Sequence, residues 1–123
     1  MIKLVDCCSQ SSHLFFVAGP PTANTAFQEL ALAMWQQLNQ FEFELKTELR
    51  RLGGLESGRK DFEVPRDPEA ARGECRSSIQ LLLEQYKEAL TTTLSAHARA
   101  MITRQSEEIQ KHYEKLVALN VAA

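Results

Sequence analysis

Apolar residues recur along this chain at alternating spacings of three and four, the period of an amphipathic helix. The longest such stripe runs through Phe27, Leu30, Met34, Leu38, Phe41, Leu45, Leu49 and Leu52. It predicts a helix over 22–52, roughly 40–45 Å long at 1.5 Å per residue. Thr25 with Gln28 has capping-box spacing and offers a second start. Leu32, Trp35 and Phe43 fall off the stripe. Three shorter stripes accompany it. Val5, Cys8, Ser12 and Phe15 predict a helix over 2–17, stopped by Gly19-Pro20-Pro21. Cys75, Ile79, Leu82, Leu83, Tyr86 and Leu90 predict a helix over 67–92. Asp67 as N-cap, Pro68 at the first helical position and Glu69 in the first turn open it. The β-branched run Thr91-Thr92-Thr93 suits its frayed end. Ala98, Ile102, Ile109, Leu116 and Leu119 predict a last helix over 95–119, capped by Ser95.

Residues 53–66 form a long connection rich in glycine and mixed charge, with Leu55, Phe62 and Val64 as apolar points that would pin it. The tail from Asn120 to Ala123 reads as a frayed end. Short connections make neighbours antiparallel, so the expected fold is all-α: two helical hairpins closed on each other. This is an antiparallel, up-down-up-down four-helix bundle, a single domain over 1–123.

Four polar residues fall inside the stripes: Ser12, Tyr86, Gln105 and His112. A buried amide or imidazole without a partner costs about 1–3 kcal/mol, so each needs one. The expectation is a core polar cluster, with His112 hydrogen-bonded to Gln105, Ser12 or Tyr86. A metal ligand and a general base are the other roles open to His112.

Composition narrows the function. Lys and Arg total 14 against 16 Asp and Glu, a net charge of −2. The signs are interspersed, so no basic field recruits nucleic acid or anionic lipid. The three cysteines, Cys7, Cys8 and Cys75, are no disulfide framework and suit the reducing cytoplasm. Cys8, on the stripe, reads as a small core filler. The apolar run Phe15-Phe16-Val17-Ala18 follows too many polar residues for a signal peptide. No stretch approaches the roughly 18 apolar residues of a membrane span.

Carboxylate-bridged dinuclear metal centres are the usual chemistry of such bundles. They need inward glutamates from two helices and Glu-x-x-His from the other two. Here Glu42, Glu44 and Glu48 flank the stripe, and Glu108 and His112 stand four apart. Ser12 and Ile79 hold the inward places on the first and third helices. Nucleophilic triads, phosphate-cradling loops and nucleotide fingerprints are absent. The residues therefore predict no metal, no cofactor and no enzyme.

Four pieces of sequence carry a family likeness. They are Leu4-Val5-Asp6, then Phe41-Glu42-Phe43-Glu44-Leu45 leading to Arg50-Arg51-Leu52-Gly53-Gly54, then Tyr86-Lys87-Glu88-Ala89-Leu90, and Gln105 with Ile109 and His112. In this order the chain resembles the small ferritin-like four-helix-bundle proteins of bacteria, a domain-of-unknown-function family similar to the YciF-type stress proteins. Family members carry inward glutamates where Ser12 and Ile79 stand here, and a longer segment where this chain has Leu55 to Pro65. The resemblance thus implies a degenerate member. Two function classes remain. The first is a non-catalytic bundle with a stress-related role that acts as a homodimer or on a protein partner through Leu32, Trp35 and Phe43, apolar surface beyond what one stripe needs. The alternative is an iron or manganese carboxylate protein with a redox or storage role.

Overall fold

The computed structural model describes residues 2–18, 25–53 and 67–119. They form four helices: α1 (Ile2–Ala18), α2 (Thr25–Arg51), α3 (Pro68–Leu90) and α4 (Ala96–Ala118). No strand occurs among the described residues. The expected stop at Gly19-Pro20-Pro21, the pins Leu55, Phe62 and Val64, and the tail lie outside them.

Local signals set the helix ends. The Asp67 carboxylate accepts from the Glu69 and Ala70 amides, and Pro68 takes a position whose amide has no helical partner. Ser95 caps α4 by accepting from the Ala98 amide at 3.1 Å. Gly53 adopts φ 76° and its amide returns to the Arg50 carbonyl, a left-handed stop that a Cβ would strain. α3 ends at Leu90, and Arg99 secures the turn after it by donating to the carbonyls of Leu90 and Thr92.

The predicted stripes form the core, except at Leu52, Leu83, Leu90 and Leu119. Leu52 is 52% exposed because α2 ends at Arg51 and turns away before it. Leu83, Leu90 and Leu119 are only partly buried against the core. Val5, Cys8, Ser12 and Phe15 of α1 are buried, as are Cys75, Ile79, Leu82 and Tyr86 of α3. From α2 the core takes Phe27, Leu30, Met34, Leu38, Phe41, Leu45 and Leu49; from α4 it takes Ala98, Ile102, Ile109 and Leu116. Each helix alone would expose this surface; burying a large aliphatic side chain is worth about 1.5–3 kcal/mol.

The helix order differs from expectation. α1 packs between α2 and α3, and α4 packs against the other sides of the same two. Ser12 meets Asn39 and Phe16 meets Trp35, so α1 and α2 are antiparallel. Ser11 meets Ser78 and Arg72 reaches the Ala18 carbonyl, so α1 and α3 are antiparallel too. Gln80 meets Tyr113 and Tyr86 meets Gln105, while Glu44 meets Arg104 and Glu48 meets His97, so α4 is antiparallel to both α3 and α2. α2 and α3 are consequently parallel across a diagonal. The order is up-down-down-up, which corrects the up-down-up-down expectation. The short-connection rule governs only the hairpins. The 16 residues between Arg51 and Pro68 reach about 50 Å when extended, more than the roughly 40 Å of α2, so the chain can change ends.

Candidate functional site

One chain of polar side chains crosses the bundle and touches all four helices. Tyr86 of α3 is wholly buried, and its hydroxyl donates to Oε1 of Gln105 on α4 at 2.7 Å. The Sγ of Cys8 on α1 lies 3.6 Å from the same hydroxyl. Nε2 of Gln105 donates to Oε1 of Glu44 on α2 at 2.9 Å and lies 3.5 Å from the Phe41 carbonyl. Arg104 donates to the same Glu44 oxygen at 2.7 Å, and its guanidinium stands 5.9 Å above the Phe41 ring. A dry thiol and phenol are thereby linked to a carboxylate at the surface.

Electrostatics keep the inner end neutral. Burial pushes the Cys8 thiol up to about 12, against the lowering effect of the Tyr86 hydrogen bond. Burial also raises Tyr86, with Cys8 adding to it. Partial burial raises Glu44, but hydrogen bonds from Arg104, Gln105 and Gln40 outweigh it and hold the carboxyl below its usual range. At neutral pH the chain thus ends in a protonated phenol and thiol, neither of them a nucleophile or base. The donor set does not fit a carboxylate-bridged metal pair. Its single carboxylate is already engaged by a guanidinium and an amide. Among the described residues no three His, Cys, Asp or Glu side chains gather as ligands.

The structure divides the four expected polar residues. Tyr86 and Gln105 are joined. Ser12 is buried elsewhere, donating to Oδ1 of Asn39 at 2.6 Å across the α1/α2 seam. His112 is half-buried on the α2/α4 seam, joined to none of the other three. Its Nδ1 is buried and makes no well-formed hydrogen bond, the Glu108 carbonyl one turn back on α4 being its weak backbone partner. Burial, and then Lys115, lower its pKa. Seven residues fall about 20° short of two full turns, so His112 stands rotated from Gln105.

The outer apolar residues separate as well. Trp35 is half-buried against Phe16, ring centroids 5.5 Å apart, on the α1/α2 side. Leu32 is 54% exposed one turn before it. Phe43, 63% exposed, lies eleven positions beyond Leu32, about 16 Å along the helix, past the exposed Gln36, Asn39 and Gln40. It lines a depression of about 480 Å³ with α4 residues Ala100 and Met101. The three therefore do not make one patch.

Glu44, Arg104 and Glu48 escape the sequence reading. Glu48 is 3% exposed, held by Arg51 from its own last turn and lying 3.6 Å from Nε2 of His97. Arg51 is the main cause that lowers its pKa. Both glutamates sit three positions after a stripe residue, Phe41 or Leu45. That spacing puts them on the flank, but not which flank meets a neighbouring helix. Among the described residues no helix is long and apolar enough to cross a membrane. No protein-family model matches the chain, and neither does any curated protein.

Proposed function

We propose that this protein is a non-catalytic, ferritin-like helical bundle that works by association, most simply with itself. The observation that carries the reading is the filled centre of the bundle. Tyr86, Gln105 and Cys8 occupy it with neutral groups hydrogen-bonded among themselves. Meanwhile large apolar side chains stay outside: Phe16 at 60% exposure, Leu32 at 54% and Phe43 at 63%. The likeness to the YciF-type family is supported by the helix order, since a single long crossing between two hairpins is what ferritin-like bundles have. Three free cysteines, two of them buried, favour a reducing compartment such as the cytoplasm.

Light scattering on the purified chain tests association. A concentration-dependent dimer is expected, and a strict monomer at high micromolar concentration opposes the reading. Elemental analysis of protein prepared without chelator tests the metal alternative. Iron or manganese approaching one ion per chain would replace the proposal with a carboxylate metal protein.

A further inference from the structure

Of the four seams in the bundle, α2/α4 is the least closed. On its outer side it opens into two depressions, of about 480 and 430 Å³, toward opposite ends of the helices. Ala100 and Met101 line the first, beside the exposed Phe43. Leu30, Ala33 and Ala118 line the second. Two buried side-chain polar atoms make no well-formed hydrogen bond among the described residues: Gln37 Oε1 and His112 Nδ1. Both belong to this seam. His112 lines the second depression. Gln37 is four positions after Ala33 and seven before Glu44, on the flank those two share.

The charges on this face are largely sorted by helix. α2 contributes Glu29, Glu44 and Glu48, with Arg51 held on Glu48, whereas α4 contributes His97, Arg104 and Lys115, with Glu108 between the last two. Glu44 pairs with Arg104 and Glu48 with His97 within the chain, so the charges offered to a partner are chiefly Glu29 and Lys115. α2 is thus acid-rich on this face and α4 base-rich.

We infer that this face docks a second copy of the chain, in an isologous dimer whose two-fold axis runs parallel to the helices. The inference rests on the self-association proposed above and adds its surface and geometry. Sorted charge selects the axis. A two-fold axis across the helices lays α2 on α2 of the second copy, acid on acid. An axis along them lays α2 on α4 of the second copy, acid on base. That rotation leaves positions along the bundle unchanged, so residues lining one depression stay level. Phe43 then covers Ala100 and Met101 of the second copy, and Glu29 faces its Lys115. Because α2 and α4 are antiparallel within one chain, the new helix pairs are antiparallel too.

Sedimentation velocity on the full chain, over a series of micromolar concentrations, tests this. Phe43, Glu29 and Lys115 are exposed, so substituting them leaves the fold standing, and thermal unfolding verifies that. Phe43→Asp is expected to raise the dimer Kd at least about tenfold, as removing a central aromatic anchor does. Glu29→Lys and Lys115→Glu each weaken the homodimer. Mixing the two singly substituted chains restores dimerisation, because each lysine then faces a glutamate of the other chain. A role confined to one chain predicts no such rescue, so failure on mixing overturns the inference. A wild-type dimer indifferent to all three substitutions but dissociated by Leu32→Asp overturns this geometry and leaves self-association intact. A wild-type monomer throughout overturns both.

Discussion

Where α1 meets α3, the polar side chains that reach the seam pair across it. Ser11 bonds Ser78 at 2.7 Å, Cys8 lies against Tyr86, and Arg72 reaches the Ala18 carbonyl. Where α4 meets α2, Glu44 and Arg104 bridge the outer edge, Gln37 and His112 bury atoms without a well-formed hydrogen bond, and a depression opens at either side. Both seams are built from helices with apolar stripes. The difference lies in side-chain length beside the stripe. Two serine hydroxyls bond only when backbones come close, whereas glutamate and arginine bond with the backbones held apart. A closed seam lends stability; a propped one leaves apolar surface available.

Truncating the closed core sharpens that contrast most. Leu45→Ala is expected to lose about 2–5 kcal/mol in denaturant unfolding, as buried leucines do, whereas Phe43→Ala on the open face stays within about 0.5 kcal/mol for the monomer. Comparable losses would dissolve the distinction. Gln105→Leu comes next, at about 1–3 kcal/mol, because it removes the acceptor of the buried Tyr86 hydroxyl. Tyr86→Phe alone costs about 0.5–1.5 kcal/mol, and the double variant loses less than the sum, since both break one bond. Full additivity would mean the two groups act independently.

Smaller effects distinguish the seams by sign. Ser11→Ala breaks the Ser78 bond and loses about 0.5–1 kcal/mol. His112→Leu removes a buried nitrogen whose one partner is a poorly aligned Glu108 carbonyl, and is neutral or stabilising by about 0.5 kcal/mol. A clear loss there would reveal a stronger partner for the imidazole.

The pH profile should be the subtlest reading. His112 titrates below its ordinary 6.5 in the folded chain, because burial disfavours its charged form. The unfolded chain then binds the proton more readily. The stability this contributes is complete above that ordinary value and lost as pH falls below it. Glu44 is likewise held below its ordinary 4.5, so its contribution persists further and disappears as pH falls through the carboxylate range. Denaturant midpoints on acidification should decline in two stages, and His112→Leu should erase the first. An unchanged first stage would assign it elsewhere.

The stripes were legible because burial follows period inside a helix. Phe27 to Leu49, Cys75 to Tyr86 with Leu83 only partly covered, and Ala98 to Leu116 lie in the core, while Leu52, in period but past the end of α2, is exposed. Asp67, Pro68 and Ser95 announced helix starts because capping is a contest among adjacent groups. Tyr86 and Gln105 were recognisable as inward polar residues; that they join, while Ser12 and His112 go to separate seams, was not.

Periodicity assigns a residue to the inside or outside of its own helix and is silent about which neighbour it meets. Glu44 and Glu48 therefore looked like solvated flanks until α4 was laid beside them. The parallel diagonal of α2 and α3 was equally invisible, since a connection long enough to turn back is also long enough to cross. Local spacing determined four amphipathic helices and their caps. Only packing decided which seams closed, because that depends on the lengths of side chains from helices far apart in sequence.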